Sequence, residues 1–558
     1  MKEADYLRNL FLRGKWIIKQ AKPSALSLLL IISIGIATSI VTVYRAVITK
    51  KIIDVATTKT QFNHLIFLLI IFIALIIFEI IVNAISSALA VRCSNKISNN
   101  IQRTLYSHLL NTRWYEFSKY HSGDIMTRMT SDIEAITSMI VSSIPSIVQL
   151  MVMLIASFIT LLFYSSTLAI LILFLSPLPI LFAKIFGKRL KALYIRFQKT
   201  ESLFRSFLNE SVQNIIIIKS FCTEEDSIAK ISKIQKNKFD LALKKNRISI
   251  IYNSSFSLVT WIGMALALII GSLNIFKGIS TFGTLTATIQ LVGSIQGPFA
   301  GLAATFPMII SAIGSSERIM EVEGLQSDIK MPISYNINSA GLKIEDVSFS
   351  YNEELPILKN VSATIHSGEM VAVVGPSGQG KTTLIRLLLS LIKPNSGGIY
   401  ITDKEQNYEV SASSRKLIAY VPQGNTLFSG TIADNIRCGY LKASEQELEI
   451  AARVACAWDF IRDLPEKLYT VIGEHGVGLS EGQAQRIAIA RALIHKAPIL
   501  IFDEATSALD NETEMKILRS IKCLNDNCTC IIITHRPAAL EICQRIFKID
   551  NTHLFEIT

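Results

Sequence analysis

The stretch Gly375-Pro-Ser-Gly-Gln-Gly-Lys381-Thr382 decides how the rest of the chain is read. It has the spacing G-x-x-x-x-G-K-[ST], a loop whose backbone N–H groups wrap the phosphates of a nucleotide. Gly375, Gly378 and Gly380 let the backbone approach phosphate oxygens with no Cβ in the way. Ser377 within the loop and Thr383 just after it belong to the same cradle. Lys381 is placed to reach the β- and γ-phosphates, and the Thr382 hydroxyl suits Mg²⁺. The flanks agree with this reading. Met370-Val-Ala-Val-Val374 predicts a buried strand, and Thr383 through Leu389 the helix that follows, its positive N-terminus turned toward the phosphates.

Working outward, the bulk composition separates two halves. A chain of 558 residues holds two to four domains, and half of its residues are hydrophobic. A mean hydropathy of +0.41 is too apolar for a purely soluble enzyme and points to transmembrane spans. The net charge of +12 does not indicate nucleic acid, because Lys and Arg concentrate between apolar segments, as in the cytoplasmic loops of a membrane protein. Eight cysteines without disulfide-framework spacing imply a reducing compartment. The first apolar run is too long and starts too late for a cleavable signal peptide.

Residues 1–23 form a short basic segment that suits an amphipathic helix on the inner membrane face. Six apolar stretches follow at 24–48, 63–90, 138–163, 167–187, 250–276 and 283–312. Each is near the length of about 20 residues that a bilayer requires. Two connections are long and basic (92–136 and 188–249), which places them and the N-terminus in the cytoplasm. Both carry apolar residues at helical spacing, so the membrane helices are expected to continue into the cytoplasm and turn back. The turns are expected near Trp114-Tyr-Glu-Phe117 and Cys222-Thr-Glu-Glu225, where aromatic and acidic residues suit docking on another domain. Glu79 lies inside the second span, where a carboxylate costs roughly 2.5–3.5 kcal/mol. It either lines a substrate cavity or is neutral and hydrogen-bonded between helices. Gln149, Asn274, Gln290 and Gln296 have the same two readings. Pro177, Pro179 and Pro298 are expected to kink their helices. Residues 321–341 read as a linker, and a soluble α/β domain runs over 342–558.

In that domain the motifs follow a fixed order. The strand Lys416–Val421 leads to Gln423, whose amide suits both Mg²⁺ and an attacking water. Leu479-Ser-Glu-Gly-Gln483 precedes a helix, so Ser480, Gly482 and Gln483 form a second anion site at a helix start. The apolar strand Ile499–Phe502 delivers Asp503 to Mg²⁺ and leaves Glu504 to polarise water. Ser507-Ala-Leu-Asp510 follows, and a last strand ends at His535, placed to bond the γ-phosphate and orient Glu504.

These residues resemble the ATP-binding cassette (ABC) family, specifically its half-size exporters, over essentially the whole chain. The resemblance implies a membrane domain of six long helices extending into the cytoplasm, fused to an α/β P-loop ATPase. It implies ATP and Mg²⁺, membrane lipid around the spans, and a head-to-tail cassette dimer with each ATP between one phosphate loop and the partner's signature motif. Tyr351 would stack on adenine, and Asp510 would belong to the nucleotide site. Thr470 through Gly476 is similar to a loop that contacts the membrane helices, Ser122 through Asp132 to the run after the first coupling turn, and Lys277 through Gly283 to the run before the last span. Three positions depart from the family pattern: Glu481 for glycine, Ala484 for a basic residue, and Gly424 for an acid. With Glu504, Gln423 and His535 all present, a homodimer is favoured over a pair with one dead site, and a heterodimer stays open. The implied activity is export of an amphipathic or hydrophobic peptide, lipid or drug. The alternative is a membrane regulator whose ATP binding gates a partner.

Overall fold

The computed structural model describes residues 2–58, 62–328, 337, 339–352, 355–403, 406–424, 426–473, 478–524 and 528–557. Much of the expected linker and residues 474–476 of the expected membrane-contacting loop therefore lie outside the described residues. The chain forms two units: Met1–Ser107 with Ser122–Gly324, and His108–His121 with Leu325–Thr558.

In the first unit α1 (Lys2–Ala21) turns through Lys22–Ser24 into α2 (Ala25–Thr58), followed by α3 (Phe62–Leu110). α3 has 49 residues, about 74 Å at 1.5 Å each, far more than a bilayer needs. Its first half is mostly bare apolar surface, Leu68 excepted, whereas Cys93, Ile97, Ile101 and Leu105 recur every fourth residue and are buried, the stripe of a packed helix. The chain leaves the unit at α4 (Trp114–Phe117) and returns as α5 (Ser122–Tyr164), which contains π-helical turns at Arg128–Asp132 and Met139–Ser143. Then come α6 (Ser166–Leu175), α7 (Leu178–Gln213), α8 (Ile215–Ser220), α9 (Glu224–Phe276) and α10 (Phe282–Glu323).

Among the described residues five helices are long and apolar enough to cross a membrane. The fourth expected span, 167–187, is instead broken between α6 and α7. Pro177 and Pro179 remove two N–H donors two residues apart, and Ser176 Oγ closes the end of α6 on Ile172 O at 2.6 Å. Pro298 and Pro307, by contrast, sit inside an uninterrupted α10. The second cytoplasmic turn comes where it was expected, between α8 and α9, with exposed Phe221, Glu224 and Glu225 at its tip and the exposed isoleucines of α8 beside them.

Several polar groups in the helices act between helices. Gln296 donates to Val259 O at 3.2 Å, and its amide fills the place a side chain at Gly263 would take. Gly283 is required by close approach: a Cβ there would fall 2.3 Å from Lys50 O, and its N–H donates to Asp54 Oδ1 at 3.1 Å. This gives the Lys277–Gly283 run a packing reason. Glu79 accepts from Arg45 Nη1 at 2.8 Å, so the carboxylate joins α3 to α2 as an ion pair.

The Ser122–Asp132 run has a comparable explanation. Arg128 bonds Arg318 O and Glu321, each at 2.9 Å, and buried Asp132 pairs with Arg318 and accepts from Ser315 Oγ at 2.8 Å. Both clamp α5 to the end of α10. Burial pushes the Asp132 carboxyl up, but hydrogen bonds from Arg318 and Ser315 outweigh it and hold it below the usual range. The clamp's stability is therefore present at neutral pH and lost only as pH falls through that lowered value.

The second unit carries a six-stranded sheet, in the order β10-β9-β3-β8-β7-β6, and a four-stranded antiparallel sheet, β2-β1-β4-β5. The strands are β1 (Gly341–Ser350), β2 (Pro356–Ile365), β3 (Met370–Val374), β4 (Ser396–Thr402), β5 (Asn407–Glu409), β6 (Ile418–Val421), β7 (Ile499–Asp503), β8 (Thr529–Ile533), β9 (Arg545–Asp550) and β10 (His553–Ile557). β3 lies between parallel neighbours β8 and β9, and β7 between β8 and β6. β7 and β8 are buried at every position, which is why they read as unbroken apolar runs. The ends of β3, β6, β7 and β8 therefore share one edge of the sheet.

Candidate active site

That edge gathers the chemistry. β3 ends at the phosphate loop, and α11 (Lys381–Leu388) starts from Gly380 in a left-handed conformation, φ 97°. Gly378 at φ 83° likewise suits glycine and no branched residue. A Cβ at Gly375 would fall 2.5 Å from Ile549 O, so β9 forces the loop to begin on glycine. Ser377 and Thr382 are exposed on the loop, and Thr383 is buried behind it.

Lys381 is nearly buried, at 8% exposure, and its ammonium donates to Gly375 O and, at 3.2 Å, to Pro376 O. It also lies 3.0 Å from His535 Nε2 at the end of β8. No carboxylate pairs with it among the described residues. A buried cation bounded by carbonyls and an imidazole is a donor set that fits an anion, as ATP phosphates would supply.

The acidic side is built from β6 and β7. Asp503 is 5% exposed and accepts from Tyr420 Oη at 3.1 Å. Burial, with the neighbouring Glu504 charge adding to it, raises its carboxyl above the usual range despite that bond. Such a carboxylate is relieved by a nearby cation. The Thr382 hydroxyl, Gln423 amide and Asp503 carboxylate are all oxygen donors, the chemistry that Mg²⁺ takes, and no metal-holding cluster of three His, Cys, Asp or Glu occurs among the described residues. A single carboxylate completed by substrate phosphates is the usual pattern for this ion.

Glu504 has a left-handed backbone, φ 50°, pinned by its N–H to Ile533 O at 3.0 Å. Gln423 Nε2 donates to Glu504 Oε2 at 2.6 Å. Glu504 and His535 line one 120 Å³ cavity with Thr506, Ser507, Thr534 and Arg536. The structure thus brings Lys381, His535, Glu504, Gln423 and Asp503 to one sheet edge.

The signature stretch is organised as a helix start. α12 (Glu481–Leu493) is capped by Ser480, whose Oγ accepts from Gln483 N at 3.2 Å while Gln483 Oε1 accepts from Ser480 N at 2.9 Å. Glu481 occupies the exposed first position, where an acid complements the helix dipole. A Cβ at Gly482 would fall 2.9 Å from Ala508 O. Ala484 is buried against the cassette core. Asp510 caps α13 (Asn511–Leu524), accepting from Thr513 N at 2.8 Å, so its carboxylate is engaged locally.

Several supporting residues escaped the motif reading. Buried Glu514 accepts from Thr506 Oγ1 at 2.7 Å and from Arg536 at 3.0 Å, tying the loop after Glu504 to the loop of His535. Gln485 holds Ser507 and Ala508 to α12. Arg386, on α11, donates to Tyr351 Oη at 2.8 Å and stacks 4.7 Å over the Trp114 ring, while Tyr115 stacks on Tyr351 at 6.3 Å. The turn bearing α4 is further held by Arg113 N to Gln326 O at 2.9 Å. Only the aromatic run Trp114-Tyr-Glu-Phe117 gave a sequence signal for this contact.

The chain matches the model of the ABC transporter transmembrane region over residues 27–299 and that of the ABC transporter over 358–507. Relatives from Staphylococcus aureus strains NCTC 8325 and RF122, named as multidrug export ATP-binding/permease proteins, are 33% identical over 509 residues, covering 90% of this chain and 87% of theirs. A solved bacterial Atm1-family ABC exporter with ATP bound shares the fold, with a TM-score of 0.81, 24% identity and coverage of 96% of this chain and 94% of that one. The chain therefore belongs to the ABC transporter family in its half-size exporter form, a multi-pass membrane protein that hydrolyses ATP to drive export.

Proposed function

We propose that the chain works as a homodimer exporting an amphipathic or hydrophobic molecule, a drug, peptide or lipid, with domains at 24–320 and 342–558 joined by a linker at 321–341. The observation that carries the catalytic reading is the meeting of Lys381 with His535 and of Gln423 with Glu504 at one sheet edge. Lys381, Ser377, Thr383 and the N–H groups of Gly375, Gly378 and Gly380 hold the phosphates. His535 accepts or donates a hydrogen bond at the terminal phosphate, and Gln423 fixes the carboxylate of Glu504 so that it takes a proton from water. Mg²⁺, when bound by Thr382, Gln423 and Asp503, neutralises charge on the phosphate oxygens. Tyr351 offers a ring to adenine. Ser480, Gly482, Gln483 and Asp510 serve the partner copy's ATP.

Two observations support the wider reading. The Arg45–Glu79 pair is a partly exposed polar spot on otherwise apolar helices, which suits amphipathic cargo; the relatives' multidrug name agrees with this. The α8 tip exposes Ile216 at 79% and Phe221 at 75% outside the spans, a patch that a second copy's cassette would cover.

The test is ATP turnover by the purified chain in lipid nanodiscs beside Glu504→Gln. The variant should lose turnover by at least about a thousandfold and keep ATP binding; persistent hydrolysis would sink the assignment of Glu504. A wild type that stays silent alone, and wakes only with a second, different chain, would replace the homodimer by a heterodimer.

A further inference from the structure

α1 and α2 meet at an elbow, Lys22–Ser24, where Pro23 fixes the turn, and the inside of that elbow is an apolar groove of 700 Å³. Leu12 and Trp16 form one wall, and Leu28, Leu29 and Ile32 of the first span form the other. Lys15, Lys19 and Lys22 also line it, the first two at i and i+4 on one face of α1 and the third in the elbow itself.

The other face of α1 is committed to α10. Ile17 is buried, Trp16 Nε1 donates to Glu323 Oε2 at 2.8 Å, and Arg13 pairs with Glu317 at 2.5 Å. The lysine face instead leaves Phe11 and Ile18 each 72% exposed. Among the described residues no carboxylate pairs with Lys15, Lys19 or Lys22, whereas Arg13 on the committed face has one. Three unpaired cations and bare apolar side chains therefore surround a groove whose far wall is the first turns of a membrane span. Lys22 lies within a turn of the span's start, and Lys19 and Lys15 follow back along α1, which as an amphipathic helix on the membrane face holds all three lysines at headgroup level while the groove continues toward the acyl region.

We propose that this elbow binds an anionic phospholipid of the cytoplasmic leaflet, one acyl chain along Leu28, Leu29 and Ile32 and the phosphate met by Lys15, Lys19 and Lys22. Charge complementarity selects the occupant. A zwitterionic lipid fills the same groove but carries its own cation against the lysines, and an apolar peptide leaves all three unmatched. Each lysine strengthens binding to an anionic headgroup roughly fivefold, so the three together favour anionic over zwitterionic lipid roughly a hundredfold. Through Arg13 and Trp16 the bound lipid steadies α1 against the end of α10.

The full-length protein, released from nanodiscs of phosphatidylglycerol and phosphatidylcholine in equal amounts, is examined by native mass spectrometry. The wild type should keep a phosphatidylglycerol adduct under conditions that strip phosphatidylcholine. Lys15→Gln/Lys19→Gln/Lys22→Gln should lose it, and so should Leu29→Trp, which fills the groove and leaves the lysines in place. Lys230→Gln/Lys233→Gln/Lys236→Gln, with the same charge removed from the exposed start of α9, should keep it. Equal retention of both lipids by the wild type overturns the proposal. So does an adduct that survives in the first two variants, disappears equally from the third, or has the mass of something other than a phospholipid.

Discussion

The two cytoplasmic turns of the membrane helices are built alike and end differently. Each places a short helix at the far end of a helical pair: α4 with four residues, α8 with six. The first is seated. Trp114 lies against Arg386, Tyr115 against Tyr351, and the backbone of Arg113 is bonded to Gln326. The second is bare, with Ile215, Ile216, Ile217 and Phe221 all about half or more exposed. One turn thus finds its partner within its own chain, and the other exposes aliphatic side chains that nothing among the described residues covers. In the proposed homodimer the seated turn would report on its own chain's nucleotide, and the bare turn would make the two chains depend on each other.

The sharpest way to break this contrast is at the bare turn. Ile216→Asp with Ile217→Asp removes two aliphatic anchors worth about 1.5–3 kcal/mol each if buried against a second copy. ATP-dependent uptake into inverted vesicles should fall at least a hundredfold while ATP binding persists; uptake within twofold of wild type would mean that this surface touches nothing that matters. At the seated turn, Trp114→Ala forfeits a stacked cation and part of a packed ring, about 1–3 kcal/mol. Uptake should fall tenfold or more with ATP turnover largely kept, and equal loss of both would deny the turn a transmitting role. Arg386→Lys should not preserve the contact and should lower uptake in the same direction as Trp114→Ala, because an ammonium cannot lie flat on Trp114 and bond Tyr351 together. The smallest effect is expected from Tyr351→Phe. It keeps the ring and deletes one hydrogen bond worth about 1 kcal/mol, so KM for ATP should rise less than about fivefold.

Much of this was legible before any coordinates. The phosphate loop is legible because its chemistry needs glycines at fixed separations, and Gly375, Gly378 and Gly380 all show positive φ. The apolar runs announced the spans, and the basic connections their side. Other features depend on partners far apart in the chain. Arg386 reads as an ordinary helix surface residue until Trp114 and Tyr351 are placed beside it, and nothing in the neighbourhood of Glu79 names Arg45. The broken fourth span was harder for a different reason. Prolines at 177 and 179 announce a disturbance, but whether a helix continues or ends depends on where the freed carbonyls find donors; Pro298 and Pro307 show the same residue type inside a helix that does not end there. At Glu481, Ser480 and Gln483 the helix-start rules account for the observed bonds, while what the same residues present to a second chain is a matter of assembly.

The two π turns of α5 have a consequence in angle. Each accommodates one residue more than an α turn, and one residue corresponds to about 100° of rotation. The cytoplasmic end of α5, with Arg128 and Asp132, and its membrane stretch, with Gln149 and Leu150 packed close to Gly35 and Gly301, are therefore phased by those insertions. Deleting a single residue within Met139–Ser143 would keep the composition of every face and the length of the span nearly unchanged. It would nevertheless turn one half of the helix against the other like a misset gear, so that the clamp on α10 and the close contacts above it could not both engage.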